Sequence, residues 1–136
     1  MEKESRENYL RIILELEKEN KQAKSIDISR KLNITKASVS EMIRKLAKNK
    51  LISIKPYSKI SLTTQGKKAA EEIIEKHSLV KEFMQKALNL EEKQAAEEAH
   101  ILEHALSENS IDRIREIIEG KEKRKQVIEK ELVYVG

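Results

Sequence analysis

One proline, Pro56, and three glycines, Gly66, Gly120 and Gly136, are the only strong backbone breakers in 136 residues. Proline removes a helix donor, and glycine weakens a helix interior by about 1 kcal/mol relative to alanine. A chain this short of both is built from long helices. The lone proline lies within 51–63, LISIKPYSKISLT, where Ile52, Ile54, Ile60 and Leu62 alternate around KPYSK. Two β-branched runs around a proline-containing turn predict a hairpin with Lys55, Tyr57 and Lys59 at its tip.

Around that hairpin the period is helical. ESRENYLRIILELEKE, residues 4–19, carries Tyr9, Leu10, Ile12, Ile13, Leu14 and Leu16 on a broad apolar face. NKQAK breaks the pattern, and Ser25 or Asp27 can cap a short helix over IDISRKLN. Thr35 is a good N-cap for the next helix, in which Val39, Ile43 and Leu46 recur on one face. A long helix is predicted from near Thr64 and another from about Glu91. A third is expected to start at a Ser110 cap and stop at Gly120, with a further short helix beyond it. Aromatics are 3% of the residues, so the core must be aliphatic. The fold expected is mainly α: a winged helix-turn-helix over 1–63, of three helices and a hairpin wing, then a helical domain over 64–136.

The chain has no cysteine, which excludes disulfides and thiolate chemistry. No apolar run approaches the ~20 residues of a membrane span and no signal peptide is visible, so the expectation is a cytoplasmic protein without membrane contact. The net charge of +4 is unevenly spread. Residues 1–62 hold 15 Lys/Arg against 8 Asp/Glu, and residues 63–136 hold 13 against 16. Residues 21–60 hold 11 against 2. Such a basic stretch suits a polyanion.

Two short helices joined by NI, with a basic hairpin after them, form a winged helix-turn-helix pattern. The B-DNA major groove admits one helix, whose N-terminal residues reach base edges. Thr35, Lys36, Ala37, Ser38, Ser40 and Glu41 occupy that end. Arg44, Lys45 and Lys48 suit phosphates, and Lys55, Tyr57 and Lys59 form the wing tip. The same fold also serves protein contact.

AHILEHAL, residues 99–106, places two of the chain's three histidines beside a glutamate. His100, Glu103 and His104 stand at i, i+3 and i+4 and share a helical face. Imidazole and carboxylate there can hold one divalent cation: Mn2+, Fe2+, Co2+, Ni2+ or Zn2+ rather than Ca2+. His77, on the preceding helix, can return alongside. Two other readings stay open: ordinary surface residues, or the His-x-x-Glu-His of an inverted-zincin hydrolase with the glutamate as general base.

Taken in this order, the motifs resemble the family of the diphtheria toxin repressor and the manganese transport regulator. ENYLRIILELE, ITKASVSEMIRKL, LTTQGKKAAEEIIEKHSLVKEFM, EEAHILEHALS and NSIDRI fall at the family's spacing and span nearly the whole chain. The resemblance implies a homodimeric, metal-dependent transcriptional repressor of metal-ion homeostasis genes, acting on a near-palindromic DNA operator and performing no catalysis. It implies Mn2+ or Fe2+ first among the metals, with His77, His100, Glu103, His104 and Asn8 as ligands. Asn8 stands where the family places Asp or Met. Arg11 stands where manganese-type members carry an acidic ligand and iron-type members can carry Arg, Lys81 where the family frequently has Glu, and Ala96 where iron-type members have His. One metal per chain is therefore expected, and a regulator of the same fold without metal sensing is the alternative. Leu79, Val80, Phe83 and Met84 are expected to contribute to an apolar surface for a second copy.

Overall fold

A computed structural model of the chain describes residues 2–19 and 22–135. They form two compact units, 1–74 and 75–136, with the division falling inside one helix. The elements, in chain order, are α1 (Glu2–Lys18), α2 (Ser25–Leu32), α3 (Lys36–Lys48), β1 (Ile52–Lys55), β2 (Lys59–Leu62), α4 (Thr64–Ala87), α5 (Glu92–Ala105) and α6 (Glu108–Val135).

In the first unit, all six apolar residues of the α1 face are buried, and Ile13 and Leu14 have no exposed surface. They pack with Ile28 of α2, with Val39, Ile43 and Leu46 of α3, with Ile52 and Ile60 of the hairpin, and with Ala70 and Ile73 of α4. Burying each large aliphatic side chain contributes about 1.5–3 kcal/mol. Burial also raises the Tyr9 phenol above its ordinary pKa of 10.0.

Local chemistry sets the joints. The α2 N-cap is Lys24, not Ser25 or Asp27. Asp27 acts from within the first turn, where its carboxylate accepts the Lys24 backbone N–H at 3.3 Å. That helix ends at Asn33, in the left-handed conformation. The α3 cap is Thr35 as expected, its Oγ1 accepting the Ser38 N–H at 3.2 Å. β1 and β2 pair antiparallel with Ile52 opposite Leu62 and Lys55 opposite Lys59, linked by a 3-10 turn over Pro56–Ser58. Ala23, inside the stretch read as a break, makes a single antiparallel bridge to the hairpin: its carbonyl accepts the Ile60 N–H at 2.9 Å. Glu17 of α1 accepts the Leu62 N–H at 2.8 Å. The base of the wing is therefore tied to the helical body.

The second unit contains the later part of α4, then α5 and α6. Its buried cluster is Val80, Met84, Ala95, Ala99, Ile111, Ile114 and Ile118. Leu79 and Phe83 are partly buried and packed against it. This corrects the expectation that Leu79, Val80, Phe83 and Met84 form a surface. The exposed apolar groups are instead Leu88, Ile101, Leu102, Ile117, Val127 and Ile128.

Two further expectations fail in α6. Ser107, not Ser110, caps it, with the Ser110 N–H donating to Ser107 Oγ at 3.2 Å. The helix then runs through Gly120. No described glycine has a positive φ, and a Cβ on Gly120 would meet nothing within 4 Å. Glycine permits a helix stop without requiring one, and Glu, Lys and Arg on both sides favour continuing.

Candidate metal centre and nucleic-acid interface

Glu103 is the centre of a polar cluster in the second unit. On α5, Ala95, Ala99 and Glu103 recur at i, i+4 and i+8, so the face that buries the alanines buries the carboxylate too. Glu103 has no exposed surface. An isolated buried carboxylate is costly and must be compensated. Three imidazoles surround it, and His77 hydrogen-bonds to it. Oε2 lies 2.7 Å from His77 Nδ1 of α4, while Oε1 lies 3.4 Å from His100 Nδ1 and 3.3 Å from His104 Nε2. The rings meet edge to face, with centroids 6.5 Å apart for His77 and His100 and 5.5 Å for His100 and His104.

Donor atoms of His77, His100 and Glu103 all lie within 4.8 Å of one another. Two imidazole nitrogens and one carboxylate oxygen gathered from two helices form a donor set that fits a divalent transition ion. His104 is nearly buried and reaches the same carboxylate. The departures have structural counterparts. Lys81 Nζ pairs with Glu92 at 3.1 Å, joining α4 to α5 as a cation rather than as a ligand. Ala96 offers no donor. In the first unit, Asn8 Oδ1 accepts a hydrogen bond from Arg11 Nη2 at 3.2 Å. The two stand at i and i+3 on α1, a spacing that brings side chains together.

The geometry of α3 and the wing is simpler. Thr35, Lys36, Ala37, Ser38, Ser40, Glu41, Arg44 and Lys45 are all exposed, whereas Val39, Ile43 and Leu46 are buried. Thr35 Oγ1 also donates to Ser38 Oγ at 2.9 Å, which orients the hydroxyl. Arg44 Nε donates to its own helix at Ser40 O, 3.3 Å away, and Lys45 lies 3.7 Å from Glu41. At the wing tip Lys55 and Tyr57 are exposed and Lys59 is half-buried.

Comparison with known proteins places both halves. Residues 1–60 match the N-terminal DNA binding domain of the iron dependent repressor, and residues 63–130 match its metal binding and dimerisation domain. The chain belongs to the iron dependent repressor family. Among its relatives, an uncharacterized HTH-type transcriptional regulator of Methanocaldococcus jannaschii is 38% identical over 117 residues, covering 85% of this chain and 94% of that protein. The HTH-type transcriptional regulator MntR of Bacillus subtilis is 31% identical over 115 residues, covering 85% of this chain and 80% of that one. The structure of the manganese regulator SloR superposes with a TM-score of 0.71 at 30% identity, over 84% of this chain and 53% of that chain. The chain thus spans about half the length of that solved relative. As a member of this family it joins a DNA-binding winged helix to a metal-binding and dimerisation domain. Among the described residues no helix is long and apolar enough to cross a membrane.

Proposed function

We propose that the protein is a cytoplasmic, homodimeric repressor of metal-homeostasis genes whose DNA affinity rises when His77, His100, Glu103 and His104 bind one divalent transition ion. The functional boundary is placed at residues 63/64. The observation that carries this reading is the gathering of two imidazole nitrogens and a fully buried carboxylate oxygen in a chain whose other unit presents a basic recognition helix. On resemblance alone, Asn8 is added as a fifth, neutral ligand. Mn2+ or Fe2+ comes first, with Zn2+, Co2+ and Ni2+ as alternatives.

The ion supplies positive charge that the Glu103 carboxylate neutralises. The residues do the rest. His77 joins α4 to α5 through Glu103, and His100 and His104 lie 3.4 and 3.3 Å from the other carboxylate oxygen. Protons and metal compete for the same imidazole nitrogens, so metal binds more tightly as pH rises. If metal favours the DNA-competent form by some factor, DNA favours the metal-loaded form by the same factor. Thr35, Lys36, Ala37, Ser38, Ser40 and Glu41 meet base edges; Arg44, Lys45, Lys55, Tyr57 and Lys59 meet the backbone and flanking groove. Two copies read a near-palindromic operator. No catalytic step is assigned. A general base needs access to water and substrate, and full burial of Glu103 speaks against that role.

Operator selection from random duplexes, with and without Mn2+, Fe2+ and Zn2+, tests the reading. A near-palindrome enriched only with metal is the expected result. Equal enrichment without metal leaves a DNA-binding protein that senses none, and proteolysis of a casein substrate by the zinc-loaded protein would restore the hydrolase reading.

A further inference from the structure

The chain holds only three Tyr, one Phe and no Trp. Tyr9 is buried in the first core and Phe83 packs against the second. Tyr57 instead stands 89% exposed at the wing tip. Its backbone is left-handed, φ 65° and ψ 29°, a conformation that bulky residues rarely adopt and that Gly or Asn would take at lower cost. Strain of this kind clusters at functional sites.

A second observation points to the same ligand. Lys55 and Lys59 are direct cross-strand partners, an arrangement of like charges that disfavours the bare hairpin. An anion on each side of the tip would relieve it. Below the tip, the bonds from Leu62 to Glu17 and from Ile60 to Ala23 anchor the wing. The structure therefore presents an exposed aromatic residue in the turn that follows a pair of lysines, on an anchored arm. The DNA minor groove offers the matching shape, with an apolar slot of sugar walls between two rows of phosphates.

We propose that Tyr57 is a specificity-determining residue whose ring packs into the minor groove beside the bases met by α3 and selects A·T-rich flanks. The proposal rests on the DNA-binding reading above and deepens it. Lys55 and Lys59 take the phosphates bordering the groove, and the ring fills the space between them. Side-chain wedges of this kind enter the minor groove in other DNA-binding proteins. G·C pairs place the guanine N2 amino group on the groove floor, where it obstructs the ring, and A·T pairs place nothing there but acceptors.

The probes are duplexes recovered from a random pool with the wild-type protein and Mn2+, rebuilt with either A·T or G·C flanks. Wild type is expected to prefer A·T flanks by about tenfold, the scale of one aromatic–base contact. Tyr57→Ala loses that preference with no change in salt dependence, whereas Lys59→Ala flattens the salt dependence on both duplexes. Tyr57→Phe keeps the preference, because the ring carries it. Tyr57→Gly relieves the backbone and raises Tm while losing the preference, which separates a binding role from a structural one. An unchanged flank ratio in Tyr57→Ala, or loss of the preference in Tyr57→Phe, overturns the proposal. Failure of wild type to retain any duplex overturns the DNA-binding reading and this inference with it.

Discussion

The two units solve the problem of a small core in different ways. Among the described residues, the first buries fifteen apolar side chains drawn from three helices, a hairpin and the start of α4. The second buries seven, three of them from α6, and places a carboxylate with no exposed surface beside them. Its exposed large apolar groups number six against three in the first unit. Charge divides the same way: residues 1–74 hold 17 Lys/Arg against 10 Asp/Glu, and residues 75–136 hold 11 against 14. A basic exterior over a full core suits a unit that folds alone and meets a polyanion. A thin core, a buried polar cluster and uncovered Ile101 and Ile117 suit a unit completed by ligand and by a second copy.

The sharpest break of this comparison is at Gly66, in the first turn of α4. A Cβ there would stand 1.8 Å from the Leu51 carbonyl oxygen, a backbone atom held in place because the Leu51 carbonyl also accepts the Thr63 N–H. Gly66→Ala is expected to destabilise the protein by about 3 kcal/mol, read from urea unfolding. Gly120→Ala, with nothing within 4 Å, is expected to stabilise by up to about 1 kcal/mol. Equal effects at the two positions would remove the distinction between a packed first unit and an open α6.

Glu103→Gln comes next. It keeps the shape and removes the charge that the three imidazoles surround, so metal affinity should fall about a hundredfold, or about 2.7 kcal/mol, in calorimetry. Far-UV circular dichroism should be unchanged. Metal affinity equal to wild type would remove Glu103 from the site. In the same titration Asn8→Asp is expected to tighten metal binding, by turning a neutral carbonyl oxygen into a charged one.

Assembly follows in size. Ile101→Asp is expected to weaken the dimer more than tenfold in sedimentation, because 69% of Ile101 is exposed in the single chain. The matching change at Ile54, 52% exposed on the wing, should leave the dimer intact. A wild type that sediments as a monomer at micromolar concentration, with and without metal, would contradict the reading of the second unit.

The smallest effects lie in exposed charges. Lys59→Ala is expected to lower the slope of log affinity against log salt by about 0.9, the value of one phosphate contact. Lys81→Ala, at a 3.1 Å pair with an exposed Glu92, should cost less than about 1 kcal/mol in stability. A larger loss would mean that α4 and α5 are joined by that pair more than by the His77–Glu103 bond.

Much of this molecule follows from local order in its sequence. Apolar spacing marked the buried faces of α1 and α3, Thr35 marked the start of α3, and alternation around Pro56 marked the hairpin, because caps and periodicity act within a few residues. Spacing alone also put His100, Glu103 and His104 on neighbouring turns. Other features depended on what each face meets across the fold. Leu79 and Phe83 turned inward and Ile101 outward, a choice that an apolar stripe does not encode. The buried position of Glu103, the strand contact of Ala23, the passage of α6 through Gly120 and the left-handed backbone at Tyr57 were decided by tertiary packing and hairpin closure. Each depends on a partner distant in sequence or on the balance of competing local states, and periodicity carries no information about either.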